Sequence, residues 1–165
     1  MSGASTAAAP DVSVEALVGV MADLWASVDP DPEQAVRPEA TGLPRGTGPV
    51  VRGSVEISGD WNGDVVVALD EQAARRWARA MLALDEADGV SDTDVEDVVA
   101  EMANVLGGAV KACCSAGGRL GLPVVAVDGR WDGGSAGADG AAEVATGLAW
   151  PDGGDGLFAV AVVSR

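Results

Sequence analysis

Apolar residues recur at helical spacing over residues 11–28, where Leu17, Val18, Met21, Leu24, Trp25 and Val28 share one face. Ser13 or Asp11 can cap the start of this helix, and Asp29-Pro30 stops it. From Val50 to Ser58 the pattern alternates, with Val51, Val55 and Ile57 on one side and Arg52, Ser54 and Glu56 on the other. Gly59-Asp60-Trp61-Asn62-Gly63-Asp64 is turn chemistry, and Val65 to Leu69 is continuously apolar, so the pair predicts a hairpin with a turn longer than the tightest type. Asp70 can cap a second helix running to about Leu84, with Ala73, Ala74, Trp77, Ala80, Met81 and Leu84 facing inward and Arg75, Arg76 and Arg79 outward. The longest periodic stretch, from about Asp92 to Ala112, predicts a third helix. Three strands follow, Leu122 to Asp128, Glu143 to Trp150 and Leu157 to Val163. Pro123 sits at the first positions of its strand, where a missing donor is tolerated. The Pro-rich segment 30–49 and the Gly-rich segment 129–140 read as loops. The order α-β-β-α-α-β-β-β predicts an α+β fold of two layers, a largely antiparallel sheet with helices packed on one face.

Length and composition narrow the function. At 165 residues the chain fits one domain, placed at 12–165 behind a disordered leader at 1–11. No apolar run approaches the ~20 residues that cross a bilayer, and the first residues lack the basic flank and greasy core of a secretory signal. The expected compartment is the cytoplasm. Net charge is −16, from 26 acidic against 10 basic residues, which repels phosphate backbones and anionic lipids and makes nucleic acid and membrane poor partners. Arg75, Arg76 and Arg79 read as a solvated helix face ahead of a binding patch. Histidine is absent, which removes Ser-His-Asp and Cys-His mechanisms. The adjacent Cys113 and Cys114 read as reduced thiols that pack at a helix end, not as metal ligands, and no metal site is expected.

The third helix carries the remaining chemistry. At about 100° per residue, with Val95 at zero, the residues Val98, Val99, Met102, Val105, Leu106, Ala109 and Val110 fall in one core-facing stripe. Asn104 lies directly opposite, with Asp97, Gly108 and Glu101 close to it. Glu101 and Asn104 are an i, i+3 pair, so their side chains are neighbours on the outer side. The plain reading of such a pair is solvation. Three local features argue for more: Asn is a poor helix-interior residue, Gly107 and Gly108 each cost about 1 kcal/mol against Ala, and Ala100 and Ala103 leave the surroundings bare. Small residues around one amide let another protein's backbone approach, so Ala100, Gly107 and Gly108 are read as a partner-approach surface. The alternative is that the glycines mark a kink or an early helix end.

The run Asp97-Val-Val-Ala-Glu101-Met-Ala-Asn104-Val-Leu-Gly107-Gly108 resembles the signature of the CheX-type chemotaxis phosphatases, relatives of CheC and FliY. That signature is an acidic residue or Ser, three spacers, Glu, two spacers and Asn, with a Pro roughly twenty residues on, where Pro123 stands here. Gly53 to Val67 is similar to the family's first hairpin and Ala78 to Leu82 to the end of its next helix, and the likeness extends over about 12–163. It implies a phosphatase acting on the phosphorylated aspartate of a CheY-like receiver that brings its own Mg²⁺, so that no cofactor is the chain's own. Asn104 would orient the attacking water, Glu101 would pair with the receiver's active-site Lys, and Asp97 would have a supporting role. The first helix reads Glu15-Ala-Leu-Val18, without the Asn of a second motif, which implies one site and a CheX-like homodimer. A non-catalytic receiver-binding adaptor is the alternative.

Overall fold

The computed structural model describes residues 9–29, 37–38, 49–59, 61–114, 118–127, 142–149 and 158–165. Along the chain these form α1 (Val14–Val28), β1 (Arg37–Pro38), β2 (Val50–Gly59), β3 (Gly63–Asp70), α2 (Glu71–Met81), α3 (Asp92–Ala112), β4 (Gly118–Leu120), β5 (Val124–Val127), β6 (Ala142–Ala149) and β7 (Phe158–Ser164). Every strand pairing is antiparallel, in the order β1-β6-β7-β3-β2-β4, with β5 also on β2. The fold is the expected α+β sheet-and-helix arrangement. Residues 1–8, the Gly-rich segment 129–140 and most of the Pro-rich segment 30–49 lie outside the described residues.

The continuous apolar run in β3 has a direct consequence. Successive strand residues face opposite sides, so Val65, Val67 and Leu69 join the main core with the helices, together with Val160 and Val162 of β7. Val66, Ala68, Ala159, Ala161 and Val163 form a second, smaller buried cluster with Val50. A strand buried on both faces needs apolar residues at every position, which is why β3 does not alternate as β2 does. Above the sheet, Ser13 accepts from the Ala16 N–H and caps α1, and Asp70 accepts from the Ala73 N–H and caps α2. Trp25 of α1 meets Trp77 of α2 edge-on, with ring centroids 4.8 Å apart.

Three local features differ from the expected pattern. The segment 30–49 is not loop throughout, because Arg37 and Pro38 pair with Ala149 and Leu148. The pairing is at the sheet's edge, where a proline is tolerated. The expected strand 122–128 is the shorter Val124–Val127, and a further short strand, Gly118–Leu120, precedes it. Leu120 pairs with Ile57 and Val124 with Ser54, so residues 121, 122 and 123 stand opposite only 55 and 56. One residue is extra, which is a β-bulge. Pro123, lacking an N–H, sits in this break, and Gly121 donates to the Glu56 carbonyl at 2.8 Å. Finally, α2 stops at Met81 and not at Leu84, because Ala83 turns left-handed at φ 51° and Leu84 donates back to the Arg79 carbonyl.

One ion cluster ties the end of the central hairpin to β7. Arg165 grips Asp64 with two bonds of 2.7 Å, reaches Glu56 at 2.9 Å, and donates its backbone N–H to Asn62. The pairing raises the Arg165 pKa above its ordinary value, the Asp64 bond being the largest cause. The Asp64 side chain is only 13% exposed, whereas Arg165 is 48% exposed. Loss of the guanidinium strands a mostly buried carboxylate, moderated by solvent on the Arg side. Arg165→Ala is expected to cost about 1–2 kcal/mol, seen by thermal melting as a fall of roughly 2–8 °C.

Candidate functional site

The site begins with how α3 is seated. Ser91 caps it by accepting from the Asp94 N–H, and the Asp94 carboxylate reaches back to the Ser91 N–H at 2.8 Å, completing a capping box. Arg75 of α2 binds Glu71 on its own helix, Asp92 at the head of α3 and the Val90 carbonyl. It is a clasp between two helices and not a solvated cation. Arg76 lies 5.7 Å from the centroid of the Trp25 ring. The outward arginine row of the sequence is thus partly structural.

The cap has a pH signature. The Ser91 hydroxyl, and then its backbone N–H, hold the Asp94 carboxyl below its ordinary range. A depressed folded pKa means that the contribution is present above the unfolded value and fades as pH falls through the folded one. Acid titration of the thermal midpoint, below about pH 4, should be flatter for Asp94→Ala than for wild type.

Beneath α3, Val95, Val98, Val99, Met102, Leu106 and Val110 are all at most 5% exposed. The buried arc is rotated from the sequence stripe: Val105 and Ala109 at one edge are only half-buried, and burial extends further on the other side. Ala103 is fully buried, and Gly107 is buried too. Gly53 of β2 explains the first: a Cβ there would lie 2.8 Å from the Val99 carbonyl oxygen and 3.2 Å from the Ala103 methyl. A Cβ on Gly107 would lie 2.3 Å from Val55 Cγ1. Small residues on both partners let helix and strand approach closely. Gly107 therefore belongs to the packing surface, correcting its placement on the partner-approach face, and so does Ala103, read from the sequence as bare surroundings of Asn104. The signal that could have found this was Gly53 within an otherwise alternating strand, where a glycine often marks close backbone approach.

On the outer side, Asp97, Glu101 and Gly108 are exposed, while Ala100 and Asn104 are half-buried. Gly108 is the bare position the sequence promised, with nothing within 4 Å of where a Cβ would stand. The helix runs unbroken through both glycines to Ala112, so neither ends it. Among the described residues, no hydrogen bond or ion pair engages the side chain of Glu101 or Asn104. An unengaged amide and carboxylate one turn apart, on a helix fixed by its packed underside, can meet groups on another molecule without local rearrangement. Leu120, the last residue of β4, lies under Gly107, and Pro123 follows three residues later in the bulge.

The two cysteines are free and sit at the far end of α3. Cys113 caps the helix, and the thiols contact the carbonyls of Ala109 and Val110 four residues back. Burial, and then the neighbouring Cys113, push the Cys114 thiol up, away from reactivity. Among the described residues, no group of three or more His, Cys, Asp or Glu is placed to hold a metal ion, and no helix is long and apolar enough to cross a membrane.

The antiparallel sheet with its helices is a fold shared with solved CheX structures. The family model described as chemotaxis phosphatase CheX matches residues 51–130, a stretch holding nearly all of β2, then β3, α2, α3, β4 and β5. Over that stretch the chain is similar to the CheX family. Its fold is similar to the CheX crystal structure from Vibrio vulnificus (TM-score 0.66, 17% identity, 92% of this chain and 95% of that one). It is similar as well to CheX from Desulfovibrio desulfuricans (TM-score 0.64, 20% identity, 92% and 97%). A third likeness is to the CheX–CheY–BeF₃–Mg²⁺ complex from Borrelia burgdorferi (TM-score 0.58, 17% identity, 92% and 96%). No curated protein sequence matches the chain.

Proposed function

We propose that this chain hydrolyses the aspartyl phosphate of a CheY-like receiver docked on the outer face of α3. Asn104 orients the attacking water through its amide, and Glu101 pairs with the receiver's active-site Lys. Asp97, one turn before Glu101, has a supporting role. The observation that carries this reading is the free, outward Glu101–Asn104 pair beside the open space over Gly108. The family match over residues 51–130 and the similarity to a CheX seen in complex with CheY support it.

The chemistry asks little of the enzyme. Phosphoryl transfer depends chiefly on in-line positioning and charge neutralisation. Mg²⁺ comes with the receiver, so this chain need only hold a water and the partner. A neutral amide suits the first task, since it offers both a donor and an acceptor without adding charge next to the phosphoryl oxygens. A Glu–Lys pair buried between two proteins fixes register more than it adds affinity.

The test is turnover. A receiver phosphorylated on its aspartate, mixed with a small fraction of its molar amount of this protein, should lose phosphate many times faster than alone. A non-catalytic adaptor would leave the lifetime unchanged at that ratio. We also propose that two copies pair along an exposed sheet edge. The β4–β5 edge supports this, with Leu122 87%, Val124 62% and Val127 64% exposed.

A further inference from the structure

Lys111 is the single lysine of a chain whose net charge is −16. It stands half-buried in the last turn of α3, seven residues after Asn104. Seven residues are close to two full turns, so Lys111 returns to within about 20° of Asn104 around the helix, at about 10.5 Å along the axis. Helical side chains lean toward the N-terminus, so the four-carbon stem of Lys111 starts back across the turn that holds Gly108. That turn is bare, with nothing within 4 Å of a Cβ at Gly108. Among the described residues, no ion pair holds Lys111. The competing role is a cation complementing the carbonyl end of the helix.

We propose that Lys111 is a specificity-determining residue, which meets an anionic oxygen of the docked receiver's phosphorylation pocket across the gap over Gly108. The inference rests on the reading that the receiver docks on this face. Its physical basis is local sign. A strongly negative protein repels an acidic pocket at long range, and a cation two turns from Asn104 supplies attraction at the site where the pocket must settle. Asp97 and Glu101 lie on the same outer face and would otherwise make it wholly acidic. The anionic oxygen has two sources, the phosphoryl group itself or a carboxylate beside it.

The experiment measures binding of a CheY-like receiver from the same cell, loaded with beryllofluoride and Mg²⁺ or left unloaded, to wild type, Lys111→Ala, Lys111→Arg, Lys111→Glu and Asn104→Ala. Lys111→Ala should weaken binding of the loaded receiver about fivefold to tenfold, Lys111→Glu should weaken it further, and Lys111→Arg should stay within about twofold of wild type. A loss confined to the loaded receiver assigns the contact to the phosphoryl group; a loss in both arms assigns it to a carboxylate. The gap between wild type and Lys111→Ala should close as salt rises from about 0.1 M to about 1 M. A role confined to the helix end would move none of these. Wild-type binding by Lys111→Ala in both arms overturns the inference, as does a Lys111→Arg that loses as much as the alanine. Asn104→Ala separates the two ideas: if it binds and turns over like wild type, the catalytic reading fails while the Lys111 result stands on its own.

Discussion

Asn104→Ala is expected to lower the rate of receiver dephosphorylation by about a hundredfold or more, which corresponds to roughly 2.7 kcal/mol of lost transition-state stabilisation. Positioning a reactant can be worth about 7–11 kcal/mol in favourable cases, so one amide carrying about a quarter to two-fifths of that is reasonable. The fold should be unaffected. Asn104 is half-buried with no described hydrogen bond, and Ala is the better helix former by roughly half a kcal/mol. The melting temperature should therefore hold or rise slightly while turnover collapses. Asn104→Asp should fail as well: it keeps the shape but places a second carboxylate beside Glu101, with no donor and with a charge that repels phosphoryl oxygens. Phosphate release followed under single-turnover conditions, with melting curves for each variant, checks all of this.

The second large effect contrasts neighbouring glycines. Gly107→Ala should destabilise the protein, because its Cβ would come within 2.3 Å of Val55 Cγ1 and 3.0 Å of Leu120 Cδ1. Overpacking of that kind costs about 1–3 kcal/mol, against a helix-propensity gain of about 1 kcal/mol, and Gly107→Leu should be far worse. Gly108→Ala has the propensity gain without the collision, since nothing lies within 4 Å, and should stabilise by up to about 1 kcal/mol. Gly108→Leu should then leave the fold intact and abolish receiver binding, because its side chain fills the gap that the partner enters. Denaturant unfolding together with receiver binding separates the two residues, Gly107 in the interior and Gly108 on the proposed interface. Equal stability losses at both positions would mean that the helix is not seated as described.

Much of this was legible in the sequence, for identifiable reasons. The residues that cap helices act locally, so Asp70, the pair Ser13 or Asp11, and the 92–112 helix could be read from spacing alone, and the structure selects Ser13. Alternation in β2 and its absence in β3 followed from one-sided and two-sided burial. The Glu101–Asn104 pair was visible because an i, i+3 relation on a helix survives any detail of packing. What could not be read depends on distant partners. Nothing local marks Arg37 and Pro38 as strand, since their partners are more than a hundred residues away. The bulge at 121–123 arises from register against β2. Ala103 and Gly107 were misplaced for a related reason. Small residues look like bare surface on a helical wheel, yet they are also what a close helix–strand contact requires, and only Gly53 opposite them distinguishes the two. Arg75 looked solvated because Asp92 is seventeen residues away, across a turn whose path the sequence does not specify.

The outer face of α3 as the receiver's docking surface is the claim on which the function depends. It is tested most directly by titrating ¹⁵N-labelled protein with a CheY-like receiver held in the beryllofluoride–Mg²⁺ state and following amide resonances. The account predicts that the backbone signals from Asp97 to Lys111 and the Asn104 side-chain amide shift or broaden together at low receiver ratios. Perturbation elsewhere, with Glu101, Asn104 and Gly108 unmoved at saturation, would contradict it.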